Sequence, residues 1–222
     1  MNIIKQLKGK LIVSCQALEG EPLYGSHIMR KMALAAKEGG ASAIRANGVE
    51  DIKAIKEETN LPIIGLIKRD YPNCDVYITP TVKEIKELIG SGCEIIAMDA
   101  TDRCHPDGVS LKGKVDLIHE AGLLAMADIS TENEAIEAEK IGFDLVSTTL
   151  SGYTPYSKQQ EKPDVELVGT LVKKLSIPVI AEGRITTIED FKAVKAKKPH
   201  AIVVGTAITR PQTITKRFVD AL

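Results

Sequence analysis

Short apolar runs alternate with longer amphipathic stretches along the whole chain. The runs are rich in Val, Ile, Leu and Ala, and each has a polar residue or a glycine at or near its end. Runs of this composition are typical of strands that are buried on both faces of a parallel sheet. Eight such runs are present: KLIVSCQ, SAIRAN, PIIGLIKR, EIIAMDA, LLAMADI, DLVSTTL, PVIAEGR and AIVVGTA.

The stretches between the strands have a helical period. Between Val165 and Leu175, for example, apolar residues recur at spacings of three and four, which predicts a helix with one buried face. Glycine follows several of these stretches, as the left-handed turn that ends many helices prefers. These glycines are Gly39, Gly40, Gly92, Gly122 and Gly142.

The strands are evenly spaced, at roughly 27 residues from one start to the next. Eight β-α units are the number that closes into a (β/α)8 TIM barrel, and we therefore predict an α/β fold of this kind. An open doubly wound sheet is the rival, but no G-x-G-x-x-G follows the first strand. No linker-like stretch interrupts the pattern, so we predict a single domain over residues 1–222.

Composition narrows the class of protein. The chain has 222 residues and a formal net charge of −1, and no basic stripe predicts a nucleic-acid partner. The N-terminal apolar run is too short for a signal peptide or a membrane span, which predicts no membrane association and a cytoplasmic location. Four cysteines form no C-x-x-C pair, so we expect reduced thiols and neither a zinc site nor a disulfide framework.

The ends of the predicted strands carry the candidate chemistry, because barrel enzymes place their active residues at the carboxyl ends of the strands. Lys68 points the same way as Ile64 and Leu66, one step beyond the apolar part of its strand. A solvated strand end explains any one polar residue, but seven of these eight ends are polar and five are ionisable. In chain order they are Gln16, Arg45, Lys68, Asp99, Asp128, Thr148, Glu182 and Gly205.

The last two loops predict a phosphate site. In barrels, these loops often bind phosphate through backbone N–H groups. Gly183 and Gly205 permit a close approach of the backbone, and Arg184 and Arg210 can donate paired hydrogen bonds. The glycines are otherwise ordinary turn residues, but together with two arginines they indicate a small phosphorylated ligand.

Lys68 and Glu182 end strands three and seven, and they therefore lie on opposite sides of an eight-stranded mouth. An amine and a carboxyl on two faces of one substrate suit inversion of a carbon stereocentre by proton transfer. An ion pair between the two side chains is the alternative. We expect burial and Arg45 to lower the pKa of Lys68 and Asp99 to oppose this shift, so the net direction stays open. Arg45 and Gln16 are candidates to donate hydrogen bonds to an enolate.

No metal site is predicted. The four histidines fall in loops or helices and form no ligand cluster with the acidic residues at the strand ends. His105 is borne on a loop and is interpreted as a bystander.

The quoted residues resemble a known family, the N-acylmannosamine-6-phosphate 2-epimerases, from about Leu11 to Phe218. The resemblance implies a barrel that converts N-acetylmannosamine 6-phosphate to N-acetylglucosamine 6-phosphate in bacterial sialic acid catabolism, without a nicotinamide, flavin or metal cofactor. The motifs that carry it are LIVSCQAL, AIRAN, PIIGLIKRDY, MADIST, STTLSGYT, VIAEGRI and AITRPQTITKRF.

The resemblance also implies roles for individual residues. It makes Lys68 and Glu182 catalytic, and it makes Arg210 the phosphate-binding arginine. Thr206 stands where many members have a second glycine; its backbone N–H is the expected phosphate ligand, so its small side chain changes little. Substrate-binding candidates are Gln16, Arg45, Asp128 and Thr148, and phosphate-binding candidates are Gly183, Arg184, Gly205, Thr206 and Arg210.

Two other functions stay open at this point. An aldolase-type barrel would use Lys68 to form a Schiff base on a sugar phosphate. A non-catalytic sugar-phosphate sensor would keep its affinity without Lys68, although no regulatory domain is appended. The tail TITKRFVDAL predicts docking on a second subunit, and we expect a homodimer.

Overall fold

The computed structural model describes residues 3–222, and its centre is a parallel sheet of eight strands. All eight predicted strands are present, although most are shorter than the apolar runs that predicted them. They are β1 (Lys10–Cys15), β2 (Ala43–Asn47), β3 (Ile63–Leu66), β4 (Ile95–Asp99), β5 (Leu124–Asp128), β6 (Leu145–Ser147), β7 (Val179–Ala181) and β8 (Ala201–Val204).

Helices connect the strands and cover the outside of the sheet. They are α1 (Ile3–Leu7), α2 (Ser26–Glu38), α3 (Val49–Thr59), α4 (Val82–Leu88), α5 (Leu111–Glu120), α6 (Glu132–Ile141), α7 (Val165–Lys174), α8 (Ile188–Lys195), α9 (Thr206–Thr209) and α10 (Pro211–Val219). A short 3₁₀ turn, Thr148–Leu150, follows β6.

The sheet closes on itself. Each strand pairs in parallel with the next, and β8 pairs with β1, with Lys10 opposite Ala201 and Val13 opposite Val204. The predicted (β/α)8 barrel is therefore confirmed, and the open doubly wound alternative is wrong. Closure brings the carboxyl ends of all eight strands to one mouth.

Alternation along each strand divides the core into an inner and an outer layer. Ile64 and Leu66 point into the barrel, where they pack with residues such as Met126 and Leu145. Ile63 points outward and packs under the helices. Both faces of the sheet are thus buried, which is why the strands read as continuous apolar runs.

Helix ends follow the sequence closely, with two exceptions. Gly40, Gly122 and Gly142 adopt positive φ at the ends of their helices, as predicted. The prediction is wrong for Gly39, whose φ is −72°, and Gly92 lies in the turn beyond the end of α4. On α5, Lys114 takes a fully buried position where an apolar residue would be expected. None of the helices within residues 3–222 has the length and apolarity needed to cross a bilayer.

Candidate active site

A cavity of about 490 Å³ opens at the carboxyl ends of the strands. Most of the predicted site residues line it, so the structure brings together side chains that are far apart in sequence. The predicted residues that line the cavity are Gln16, Arg45, Lys68, Glu182, Gly183, Arg184, Gly205, Thr206 and Arg210.

Lys68 lies just beyond β3 and is fixed through its backbone. Its N–H donates to the Asn47 side-chain oxygen at 2.8 Å, and the residue forms an antiparallel bridge with Ile78. Its ammonium group makes no hydrogen bond or ion pair with any residue between 3 and 222. Burial, followed by repulsion from Arg45 and Arg210, lowers the pKa of Lys68 and outweighs the opposing attraction of Glu182 and Glu21. The direction that the sequence left open is therefore downward.

Asp99 does not contribute to this balance, contrary to the expectation from its place at a strand end. Its carboxylate is fully buried, pairs with Arg103 at 2.5 Å and accepts hydrogen bonds from Thr101. It lies below the loop after β4 and does not line the cavity.

Arg45 and two carboxylates form the buried centre of the site. The guanidinium of Arg45 is 1% exposed and donates to Asp128 at 2.5 and 3.0 Å and to Glu182 at 2.6 Å. Burial disfavours its charge, but Asp128 and Glu182 outweigh burial and raise its pKa above the ordinary value. This three-residue network holds Glu182 in place.

Glu182 presents one oxygen to the cavity. Its Oε2 accepts from Arg45, from Thr149 at 3.1 Å and from Ser147 at 3.4 Å. Its Oε1 accepts no hydrogen bond within the described part of the chain, and the side chain is 14% exposed. Burial raises the pKa of Glu182 despite the neighbouring Arg45. No ion pair joins Glu182 to Lys68 among residues 3–222, so the alternative of a direct pair across the mouth is wrong.

Of two predicted substrate contacts, Arg45 lines the cavity and Asp128 is placed differently from expectation. Asp128 is fully buried behind Arg45 and does not line the cavity. Arg45 has both terminal nitrogens engaged by carboxylates, and its buried Nε has no partner within residues 3–222. Both residues support Glu182, and the predicted substrate contact of Arg45 stays a prediction.

The predicted contact of Thr148 with the cavity falls instead on the next residue, Thr149. The Thr148 hydroxyl donates to the Glu182 carbonyl at 2.8 Å and accepts from the Glu182 N–H at 3.0 Å, so it pins the backbone of β7. The short 3₁₀ turn after β6 directs Thr149 to the cavity instead. Thr149 donates to Asp128 at 2.7 Å and completes the carboxylate network.

Gln16 follows β1 and reaches the cavity as predicted. Its amide nitrogen donates to the Ser14 hydroxyl at 2.9 Å. Its buried Oε1 has no partner among residues 3–222, and a buried amide oxygen without a partner is a place where a ligand can donate a hydrogen bond.

The other side of the cavity is formed by the loops after β7 and β8. Gly183 adopts φ of 105°, a conformation that favours glycine, and a Cβ on Gly205 would come within 3.2 Å of the Ser14 side chain. Gly183 is therefore favoured by its backbone conformation and Gly205 by close packing. Arg210 follows α9 and lines this side of the cavity, where Glu21 pairs with it through two contacts of 2.8 and 3.0 Å.

Arg184 is already engaged by protein groups. Its guanidinium donates to the carbonyls of Ser151 and Gly152 and stacks over the Tyr153 ring, 4.0 Å from the ring centroid. These contacts tie the loop after β6 to the loop after β7. They use two of the five N–H groups of the guanidinium, and Arg184 lines the cavity, so its role as a phosphate donor stays a prediction.

Several cavity residues were missed because they lie within loops, inside strands or on the last two helices, and not at the ends of strands. The loop after β3 folds back and brings Tyr77 and Ile78 beside Lys68. Burial raises the pKa of the Tyr77 hydroxyl. In the sequence, the aromatic residues of the long loops were the feature that could have pointed to such cavity residues. The other missed residues that line the cavity are Ser14, Thr149, Tyr153, Glu161, Ile185, Thr186, Val203, Thr209 and Arg217.

His105 lies outside the cavity. Its Nδ1 is 2.8 Å from the Pro80 carbonyl and 2.7 Å from the ammonium of Lys114, and burial lowers its pKa. Within residues 3–222, no group of three or more His, Cys, Asp and Glu side chains is arranged to hold a metal ion.

Comparison with known proteins adds a family and close relatives. The family described as "Putative N-acetylmannosamine-6-phosphate epimerase" matches residues 29–222. A relative from Clostridium perfringens (strain SM101 / Type A), named putative N-acetylmannosamine-6-phosphate 2-epimerase, is 62% identical over 97% of this chain and 98% of its own. One of the same name from Clostridioides difficile (strain 630) is 57% identical over 99% of both chains.

Solved structures agree with the fold. The structure of N-acetylmannosamine-6-phosphate 2-epimerase from Clostridium perfringens matches with a TM-score of 0.98 at 60% identity, over 100% of this chain and 97% of that one. Thiamine phosphate pyrophosphorylase from Pyrococcus furiosus matches with a TM-score of 0.65 at 18% identity, over 97% of this chain and 93% of that one, which indicates a shared fold alone.

Proposed function

Because the chain belongs to the N-acetylmannosamine-6-phosphate epimerase family, we propose that it converts N-acetylmannosamine 6-phosphate to N-acetylglucosamine 6-phosphate. The reaction inverts C2 of an amino sugar and serves sialic acid catabolism. The observation that carries the proposal is that Lys68, an amine without a partner among residues 3–222, and Glu182, an anchored carboxylate, line one cavity.

Proton transfer at C2 is the chemistry that these groups can perform. In the open-chain sugar, C2 lies next to the C1 aldehyde, so its proton is acidified and an enolate can form. A lysine accepts this proton only in its neutral form, and burial together with Arg45 and Arg210 favours that form of Lys68. Removal of the proton by Lys68 and return of a proton to the opposite face would give the epimer.

Glu182 is the proposed partner in proton return. The raised pKa favours a protonated carboxyl, and Oε1 is the oxygen left open toward the cavity. Arg45 and Asp128 act behind it, where they hold Oε2 and so fix the direction of Oε1. Gln16 is proposed to contact the sugar through its unpaired Oε1.

The phosphate is proposed to bind at the loops after β7 and β8. Backbone N–H groups near Gly183, Gly205 and Thr206 line this side of the cavity, together with the guanidinium of Arg210. Arg184 supports the loop wall through its bonds to two carbonyls. We expect an unphosphorylated sugar to be a much poorer substrate, because it would lack these charged contacts.

An exchange experiment tests the reaction itself. N-acetylmannosamine 6-phosphate is incubated with the protein in D₂O, and proton NMR follows the C2 hydrogen. We expect the product to carry deuterium at C2. A product that keeps its C2 hydrogen in full would contradict exchange through a free enolate. The Schiff-base alternative is not favoured by the family, and borohydride with substrate should trap no covalent adduct on Lys68.

The oligomeric state and the cellular location of the protein are two further proposals. We propose a homodimer that uses α10, since no residue of this helix is buried in the described part of the chain and Phe218 is 75% exposed. Light scattering coupled to size exclusion would give the mass directly, and a monomer would contradict the proposal. A cytoplasmic location also stays a prediction, which fractionation of the source cells would test.

A further inference from the structure

Arg210 is held by a carboxylate from the opposite end of the chain. Its two terminal nitrogens contact the two oxygens of Glu21 at 2.8 and 3.0 Å, in the parallel fork geometry of arginine–carboxylate pairs. Both side chains are partly buried, with 30% of Arg210 and 23% of Glu21 exposed. The pair joins the loop after β1 to the loop after β8.

Glu21 is itself fixed by its own loop. Its Oε2 accepts from the Leu18 N–H at 2.7 Å, and its N–H donates to the Leu18 carbonyl at 2.9 Å. The carboxylate is therefore oriented before Arg210 reaches it. A guanidinium on a flexible side chain gains a defined direction from such an anchor.

The arrangement leaves Arg210 available to a ligand. Arg210 lines the cavity and Glu21 does not, so the carboxylate contacts the guanidinium from outside the cavity. A guanidinium has five N–H groups, and a fork to one carboxylate uses two of them. Donors thus remain on Arg210 for a second anion on its cavity side.

We propose that Glu21 is a positioning residue for phosphate recognition, which holds Arg210 toward the cavity; this inference rests on the proposed function of the site. Without Glu21, the guanidinium would have to be ordered by the phosphate at the moment of binding, and that ordering lowers affinity. The effect belongs to ground-state binding, because Glu21 does not reach the cavity where the reacting carbon would lie.

Steady-state kinetics of Glu21→Gln tests the inference. We expect KM for N-acetylmannosamine 6-phosphate to rise about 3- to 10-fold, the loss typical of ordering one long side chain, with kcat changed less than about 2-fold. Glu21→Asp, with a shorter reach, should fall between the glutamine variant and the parent. The matched control is Glu19→Gln, which removes the same charge from an exposed position in the same loop and should leave KM unchanged.

A double-mutant cycle separates positioning from a general effect of charge. In an Arg210→Ala background, Glu21→Gln should have no further effect on KM, because the proposed contribution of Glu21 to phosphate binding passes through Arg210. Equal effects of Glu21→Gln with and without Arg210 would overturn the inference. A lower KM in Glu21→Gln would also overturn it, since it would make Glu21 a competitor that the phosphate must displace.

Inorganic phosphate gives a readout that does not depend on epimerase activity. Calorimetric titration should show weaker phosphate binding to Glu21→Gln than to the parent and to Glu19→Gln. Suppose that phosphate binds Glu21→Gln more weakly than the parent and Glu19→Gln, but that the parent does not epimerise the sugar. The proposed function then fails and the role of Glu21 stands. If the parent epimerises the sugar and phosphate binds all three proteins equally, the role of Glu21 fails alone.

Discussion

Two lysines near the carboxyl end of the barrel, the fully buried Lys114 and the partly buried Lys68, have lowered pKa values and opposite surroundings. The ammonium of Lys114, on α5, donates to the Pro80 carbonyl at 2.8 Å, contacts His105 at 2.7 Å and pairs with Asp107 at 3.0 Å. The ammonium of Lys68 has no such partner within residues 3–222. Burial is the main cause of the lowered pKa at both positions.

The difference separates a structural lysine from a candidate catalytic one. Lys114 connects the loop after β4 to Pro80 in the loop after β3, and Asp107 also accepts from the Val82 N–H at 2.8 Å at the start of α4. These contacts compensate the charge of the Lys114 ammonium. The partly buried amine of Lys68 has no compensating contact, and a desolvated group of this kind facing a cavity is typical of a functional site.

The same substitution at both positions should give opposite phenotypes, with the largest effect at Lys68. We expect Lys68→Met to lower kcat by about 10⁴-fold or more, because the base at C2 is lost. Phosphate binding and the unfolding midpoint should be retained, since no hydrogen bond of the ammonium is removed. Lys68→Arg should also be inactive, because a guanidinium stays protonated. Near-normal turnover in Lys68→Met would end the proposed mechanism.

Glu182→Gln tests whether the second group on the cavity is needed. We expect kcat to fall at least about 100-fold, the low end for one acid–base group, with a smaller change in KM. Glu189→Gln, an exposed position on the helix that follows β7, is the matched control and should behave like the parent. A variant with full activity would leave Lys68 as the sole proton-transfer group.

Lys114→Met should weaken the fold while it spares the chemistry. Loss of the ammonium leaves the Pro80 carbonyl without its donor and Asp107 without its partner, and we expect a loss of about 1–3 kcal/mol in the free energy of unfolding. Urea denaturation measures this loss. Lys112→Met, on the same helix but with a surface pair to Asp116, should change stability by less than about 0.5 kcal/mol. A stable but inactive Lys114→Met protein would put this lysine in the mechanism.

The smallest expected effect concerns the pH dependence of Lys68. As a base, Lys68 must lose its proton, so kcat/KM should rise with pH through the lowered pKa of Lys68, below the ordinary lysine value of 10.5. Arg210 contributes to that lowering through repulsion. In Arg210→Ala the rising limb should therefore move to higher pH, which a pH–rate profile would measure. A shift to lower pH would contradict the assigned sign.

Much of the barrel could be predicted from the sequence, because its determinants are local. Strands buried on both faces need continuous apolar runs, and the spacing of those runs left room for one helix between each pair. Lys68 and Glu182 could be placed at the mouth for the same reason, since each follows directly after such a run. Their approach to one cavity follows from closure of eight strands.

The partners of the site residues were decided by tertiary structure. The sequence placed Asp99 and Asp128 equally at strand ends. In the structure, Asp99 pairs with Arg103 and Asp128 pairs with Arg45. Glu21 and Arg210 are near opposite ends of the chain, and only closure of β8 against β1 brings them together.

Loop conformation also lay beyond the reach of the sequence pattern. The 3₁₀ turn after β6 turns Thr149 toward the cavity in place of Thr148, and the fold-back of the loop after β3 brings in Tyr77. Strand periodicity fixes the direction of side chains within the sheet, where each residue alternates with the next. Past the last paired residue that constraint ends, and packing between loops decides which side chains face the cavity.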